Sequence, residues 1–160
     1  MKCFPTAGVR PYPPRVTSFT AKFWQSLQHG QLVTTRCGAC NALTFPPKPV
    51  CPHCWADKQE WTTISPNGVL YSYTRIHAAP AQFSQALPYE VGIVDLKENL
   101  RVACRLVNTS KETLRLDADV ELVAIQYEDG PLLAAIPLQI RRSTDIKFLT
   151  DISDMLYMKS

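Results

Sequence analysis

From Val69 to Thr74 the chain alternates, with Val69, Tyr71 and Tyr73 on one parity and Leu70, Ser72 and Thr74 on the other. A period of two in β-branched and aromatic residues predicts a strand. Four further strands are predicted over residues 89–96, 100–107, 120–127 and 132–138. Turn signals separate several of them: Pro66-Asn67-Gly68, Lys97-Glu98-Asn99 and Glu128-Asp129-Gly130. Five short strands at this spacing predict a small, partly open barrel of OB type. The 107–120 connection, longer than a hairpin turn, is expected to cover one barrel end.

Upstream the period changes. Phe19, Phe23 and Leu27 fall at i, i+4 and i+8 with Trp24 beside them, so TSFTAKFWQSLQHG predicts a helix. Thr17 or Ser18 would cap its start and Gly30 would stop it. The apolar face has two readings: it packs on its own domain, or Phe19, Phe23, Trp24 and Leu27 form a docking surface for a partner. Residues 1–16 read as an extended, proline-rich lead. Residues 139–160 are a polar and then apolar tail with room for a short helix. The expected organisation is therefore mainly β: lead and helix over 1–30, a ribbon over 31–65, the barrel over 66–138 and the tail over 139–160.

The ribbon is set by CGACNALTFPPKPVCPHC, residues 37–54. Two Cys-x-x-Cys pairs supply four thiolates, and Cys37, Cys40, Cys51 and Cys54 are the candidate ligands of a tetrahedral metal site. Redox pairs of this spacing usually open a helix after a strand, whereas prolines and a glycine surround both pairs here. Four thiolates leave no open position for water, which argues for a structural Zn²⁺ and against a reactive one. The deaminase pattern is also missing, because neither His29 nor His77 has a Glu two residues on. Iron in a rubredoxin-like role has the same ligand set, and zinc is the expected metal. His53, inside the second pair, reads as an exposed loop side chain.

No apolar run approaches the roughly 20 residues of a membrane helix. The start MKCFPTAGVRPYPPR lacks the apolar core and small-residue cleavage site of a secretory signal. The expected compartment is the cytoplasm, where thiols stay reduced. Charge bears on the barrel. Residues 67–160 carry ten Lys and Arg against twelve Asp and Glu, while residues 1–66 carry seven against two. Nucleic-acid affinity rests on cations that neutralise phosphates, so a slightly acidic barrel argues against nucleic acid. A single-stranded nucleic-acid-binding protein remains the alternative, since the barrel tyrosines could stack on bases. No nucleophile, base or phosphate loop forms a catalytic pattern. Cys104 reads as a buried strand residue, Cys3 as incidental, and Arg75 and His77 as solvated strand-end residues.

The run FWQSLQHGQL, then TTRCGACNALTFPPKPVCPHC, then EWTTISPNGVLYSYT resembles the zinc-ribbon plus OB-fold family associated with acyl-CoA metabolism, long filed as a domain of unknown function. Its most specific parts are Phe45-Pro46-Pro47-Lys48 between the cysteine pairs and the Gly-Val-x-Tyr-Ser-x-Thr stretch from Gly68 to Thr74. The resemblance spans residues 19–138 and implies zinc on the four cysteines. It implies a non-catalytic accessory subunit beside a thiolase-superfamily enzyme, thiolase or aldolase, or a MaoC-like hydratase. In such assemblies the catalytic residues belong to the larger partner and the small subunit helps hold the acyl-CoA. The lead and the tail are not diagnostic of the family.

Overall fold

A computed structural model of the chain describes residues 1–107, 109 and 114–138. The tail predicted over 139–160, with its short helix, lies outside the described residues, as does part of the 107–120 connection.

The barrel strands are β5 (Asn67–Ile76), β6 (Tyr89–Leu96), β7 (Arg101–Leu106), β8 (Asp119–Tyr127) and β9 (Gly130–Pro137). Their order β5-β6-β7-β9-β8 closes back onto β5, so the five strands form the closed barrel of an OB-fold. Closure rests on a short parallel pairing of β7 with β9, Arg105↔Ala134 and Leu106↔Ala135, and on Asn67–Val69 of β5 against Asp119–Glu121 of β8. A bulge between Leu70 and Ser72 displaces Tyr71 from the ladder and lets the long first strand bend around the barrel. Alternation then sorts the side chains: Leu70, Val94, Val102, Leu106, Val120 and Leu122 fill the interior.

Strand β8 breaks the alternation, because Leu122, Val123, Ala124 and Ile125 are all buried. Its second face is covered by the N-terminal lead. Strand β1 (Cys3–Pro5) pairs in parallel with β8, Cys3↔Ala124 to Pro5↔Gln126, and Phe4 packs over Val123, Ile125, Tyr127 and Ala134 as a second small core. Beyond it the Gly8 N–H donates to the Glu128 carboxylate at 3.0 Å. Arg10 grips the β8–β9 turn through Asp129 and the carbonyl of Pro131. The extended lead is therefore a docked element. The pairing spans some 120 residues of sequence, and three residues carry too little pattern to announce it.

Helix α1 (Ala21–Gln28) begins two or three residues later than its sequence signals suggest. Thr17 and Thr20 exchange hydrogen bonds in a preceding turn, and Thr20 takes the cap position. Gly30, at φ +71°, ends the helix, with the Gly30 and Gln31 N–H groups donating to the carbonyls of Leu27 and Ser26. Phe23 and Leu27 are 7% and 0% exposed, within the same cluster as the barrel interior. Trp24 lies half-buried against that cluster and Phe19 tilts onto Trp61 at 5.3 Å. Phe23 and Leu27 thus cover the chain's own core, while Phe19 and Trp24 stay partly exposed.

Candidate metal centre

Strands β2 (Val33–Cys37), β3 (Leu43–Thr44) and β4 (Gln59–Thr63) form a three-stranded ribbon with β2 in the middle. Cys37 ends β2, and the chain then turns twice in the same way. In the first knuckle the Cys37 N–H donates to Ala42 and the Asn41 N–H to Cys37, both at 2.9 Å. In the second the Cys51 N–H donates to Ala56 and the Trp55 N–H to Cys51. Both knuckles need a left-handed residue after the second cysteine, and Asn41 (φ 64°) and Trp55 (φ 62°) occupy those positions. Asn tolerates this conformation; Trp does so less readily.

These turns bring the four Sγ atoms within 4.8 Å of one another. Cys37 and Cys54 stand 3.5 Å apart, and Cys40 and Cys51 3.6 Å apart. Zinc–sulfur bonds of about 2.3 Å in a tetrahedron place the sulfurs about 3.8 Å apart, so the donor set fits a four-thiolate metal ion. Backbone N–H groups already point at the sulfurs: Ala39 and Cys40 at Cys37 Sγ, and His53 at Cys51 Sγ. The Cys40 and Ala39 N–H groups draw the Cys37 thiol down to about 6. Burial opposes ionisation of Cys51, yet the N–H groups of His53 and Cys54 outweigh it and lower that thiol too. Cys54 is raised to about 12: the Ala56 N–H pulls it down, but the crowding thiols of Cys40 and Cys37 prevail. Four sulfurs this close ionise together only around a cation. The second-pair His53 is exposed and contributes its N–H, not its ring.

The arm between the knuckles is tied back to the ribbon and the helix. The Thr34 hydroxyl, buried, donates to the Thr44 carbonyl, and Thr35 Oγ1 accepts from the Lys48 N–H at 3.2 Å. Phe45 meets Phe23 edge-on at 5.9 Å, and Pro47 is buried. The sequence does not single out Thr34 and Thr35 as anchors; two adjacent threonines leading into a cysteine pair were the available signal. Fixing the arm fixes the helix against the barrel. Of the other residues weighed from sequence, Cys104 is buried, which pushes its thiol up to about 12. Arg75 pairs with Glu90 at 2.6 Å, and His77 is exposed.

Two family models match consecutively: the ChsH2 rubredoxin-like zinc ribbon domain over residues 24–60 and the ChsH2 C-terminal OB-fold domain over residues 61–124. A DUF35 domain-containing scaffold protein of Methanocaldococcus jannaschii is 32% identical over 62% of this chain and 72% of its own length. The benzoylsuccinyl-CoA thiolase subunit BbsA of Thauera aromatica is 37% identical over 59% of this chain and 64% of its own. Among solved structures, an Ltp2–ChsH2(DUF35) aldolase chain superposes with a TM-score of 0.68 at 28% identity, covering 78% of this chain and 98% of that one. Ribbon, barrel order and sulfur geometry agree with these matches, and the chain belongs to the DUF35 family of zinc-ribbon plus OB-fold proteins.

Proposed function

We propose that this chain is a non-catalytic accessory subunit of a thiolase-superfamily enzyme acting on acyl-CoA, and that Cys37, Cys40, Cys51 and Cys54 hold its structural Zn²⁺. The observation that carries the first part is the likeness to relatives that are named as a thiolase subunit and as part of an aldolase assembly. The gathered sulfurs support the second. Closed four-thiolate coordination supplies no reactive position, so the metal's contribution is to hold the knuckles and the Phe45 arm in place. Thiolate ligands persist in a reducing compartment, which supports a cytoplasmic location. Among the described residues no helix is long and apolar enough to cross a membrane.

The test is co-expression with a thiolase-superfamily protein encoded beside this chain. A stable hetero-oligomer is expected, with thiolase or aldolase activity or stability that falls when this chain is omitted. A monomeric chain beside a fully active, stable thiolase would overturn the reading.

A further inference from the structure

On the outer face of β6 and β7, Arg105 lies opposite Val91. Its guanidinium carbon sits over the Tyr89 ring, 5.1 Å from the centroid. A cation–π contact of that kind supplies no oxygen acceptor to the guanidinium N–H groups. The Arg105 Nε is buried and has no hydrogen-bond partner among the described residues. A buried N–H without an acceptor is destabilising, and an orphaned donor in a native fold calls for an explanation.

Arg105 lines a cleft of about 280 Å³ together with Val9 and Pro11 of the lead, Gln82 and Gln85 of the short 3-10 helix Ala81–Ala86, and Tyr127. No carboxylate is among the described lining residues, and the nearby cation Arg10 is engaged by Asp129. OB-folds bind ligands on the face of their second and third strands, between the loop joining strands one and two and the loop joining strands four and five. Here those loops are 77–88, which contains Gln82 and Gln85, and the Glu128–Asp129 turn. The cleft therefore combines an unused guanidinium donor, two amide side chains and an apolar wall at the position where the fold presents ligands.

We propose that this cleft binds a small molecule through an anionic oxygen group, a phosphate or a carboxylate, which accepts from the Arg105 guanidinium with Gln82 and Gln85 beside it. The apolar remainder of the ligand lies along Val9 and Pro11. The site does not depend on the subunit reading above.

Arginine Nε–H signals of the full, zinc-loaded, ¹⁵N-labelled chain give the test. Inorganic phosphate and acetate are titrated separately, with chloride holding the ionic strength constant. The Arg105 signal, assigned by its loss in Arg105→Lys, is expected to move saturably while that of Arg10 stays in place. Saturation at lower phosphate concentration assigns a phosphate ligand, and saturation at lower acetate a carboxylate. A signal that responds to neither anion more than to chloride means that water satisfies the donor, and the proposal fails. Arg105→Lys keeps the charge but not the fork. It is expected to weaken binding by about tenfold or more, read at the Gln82 and Gln85 side-chain amides. Equal binding by the lysine variant would also overturn the assignment.

Discussion

Single residues show where this chain departs from what its local geometry prefers. Asn41 and Trp55 hold the same left-handed position in the two knuckles, and Trp55 does so with its side chain 80% exposed. An exposed ring gains little from burial, while the left-handed region costs most residues about 1–2 kcal/mol that Asn largely avoids. Trp55→Asn should therefore stabilise the zinc-loaded chain by about 1 kcal/mol, seen as a higher guanidinium midpoint at an unchanged m-value. A lower midpoint would mean that the indole packs in solution. Asp95 offers a second residue-level test. Its carboxylate accepts from Arg101 at 2.6 and 2.8 Å, and those hydrogen bonds hold it below the usual carboxylate range against the opposing effect of burial. A depressed folded value stabilises above the unfolded value and is lost as pH falls through the folded one. The gap in melting temperature between the native chain and Asp95→Asn should be constant from about pH 5 to 8 and close below about pH 4. The gap will be small, because the Arg101 side chain is 53% exposed and that of Asp95 35%, so solvent screens the pair.

At the scale of elements, β6 and β7 were the most legible, because each has one buried face and alternates accordingly. The Gly68–Thr74 stretch has a local steric reason for its glycine. A Cβ on Gly68 would stand 2.5 Å from the Asp95 carbonyl oxygen and 2.8 Å from Val94 Cγ1, across the β5–β6 ladder. Backbone cannot give way as a methyl group can. Gly68→Ala should destabilise by about 1–3 kcal/mol, and by more than Gly92→Ala, whose new methyl meets only the side-chain ends of Leu106 and Leu70. Urea unfolding of both variants would check the order. What the sequence concealed follows from the same rule. Strand β8 is buried on both faces, so its run Leu122 to Ile125 is continuous, and that continuity was the one trace of the docked lead. The helix face was legible as apolar but not as to what it covers, since periodicity gives a direction and not a partner. The four sulfurs were fully legible, because two short knuckles bring together residues whose spacing is itself the signal.

For the molecule as a whole, the decisive feature is that ribbon, helix and barrel share one core. Phe23 and Leu27 of the helix, Leu32 and Val33 of the ribbon, and Leu70, Val94 and Leu122 of the barrel belong to a single buried cluster, with Phe45 and Trp61 packed against it. Residues on both sides of position 65 thus share one buried cluster. A metal that holds only the knuckles would matter locally if ribbon and barrel folded separately. Here it also holds Phe45 on Phe23, and Phe23 lies in the cluster that the barrel interior shares. Metal binding contributes about 10–16 kcal/mol in small zinc domains, and a shared core transmits its loss. Removing zinc with a strong chelator, or replacing Cys40 with Ser, should therefore lower the stability of the entire described chain. Amide exchange should rise in β5 and β6 as well as in β2 and β4, and the native chain should unfold in one transition. Two resolved transitions, with barrel protection unchanged after zinc removal, would show that the core is divided and that the metal serves the ribbon alone.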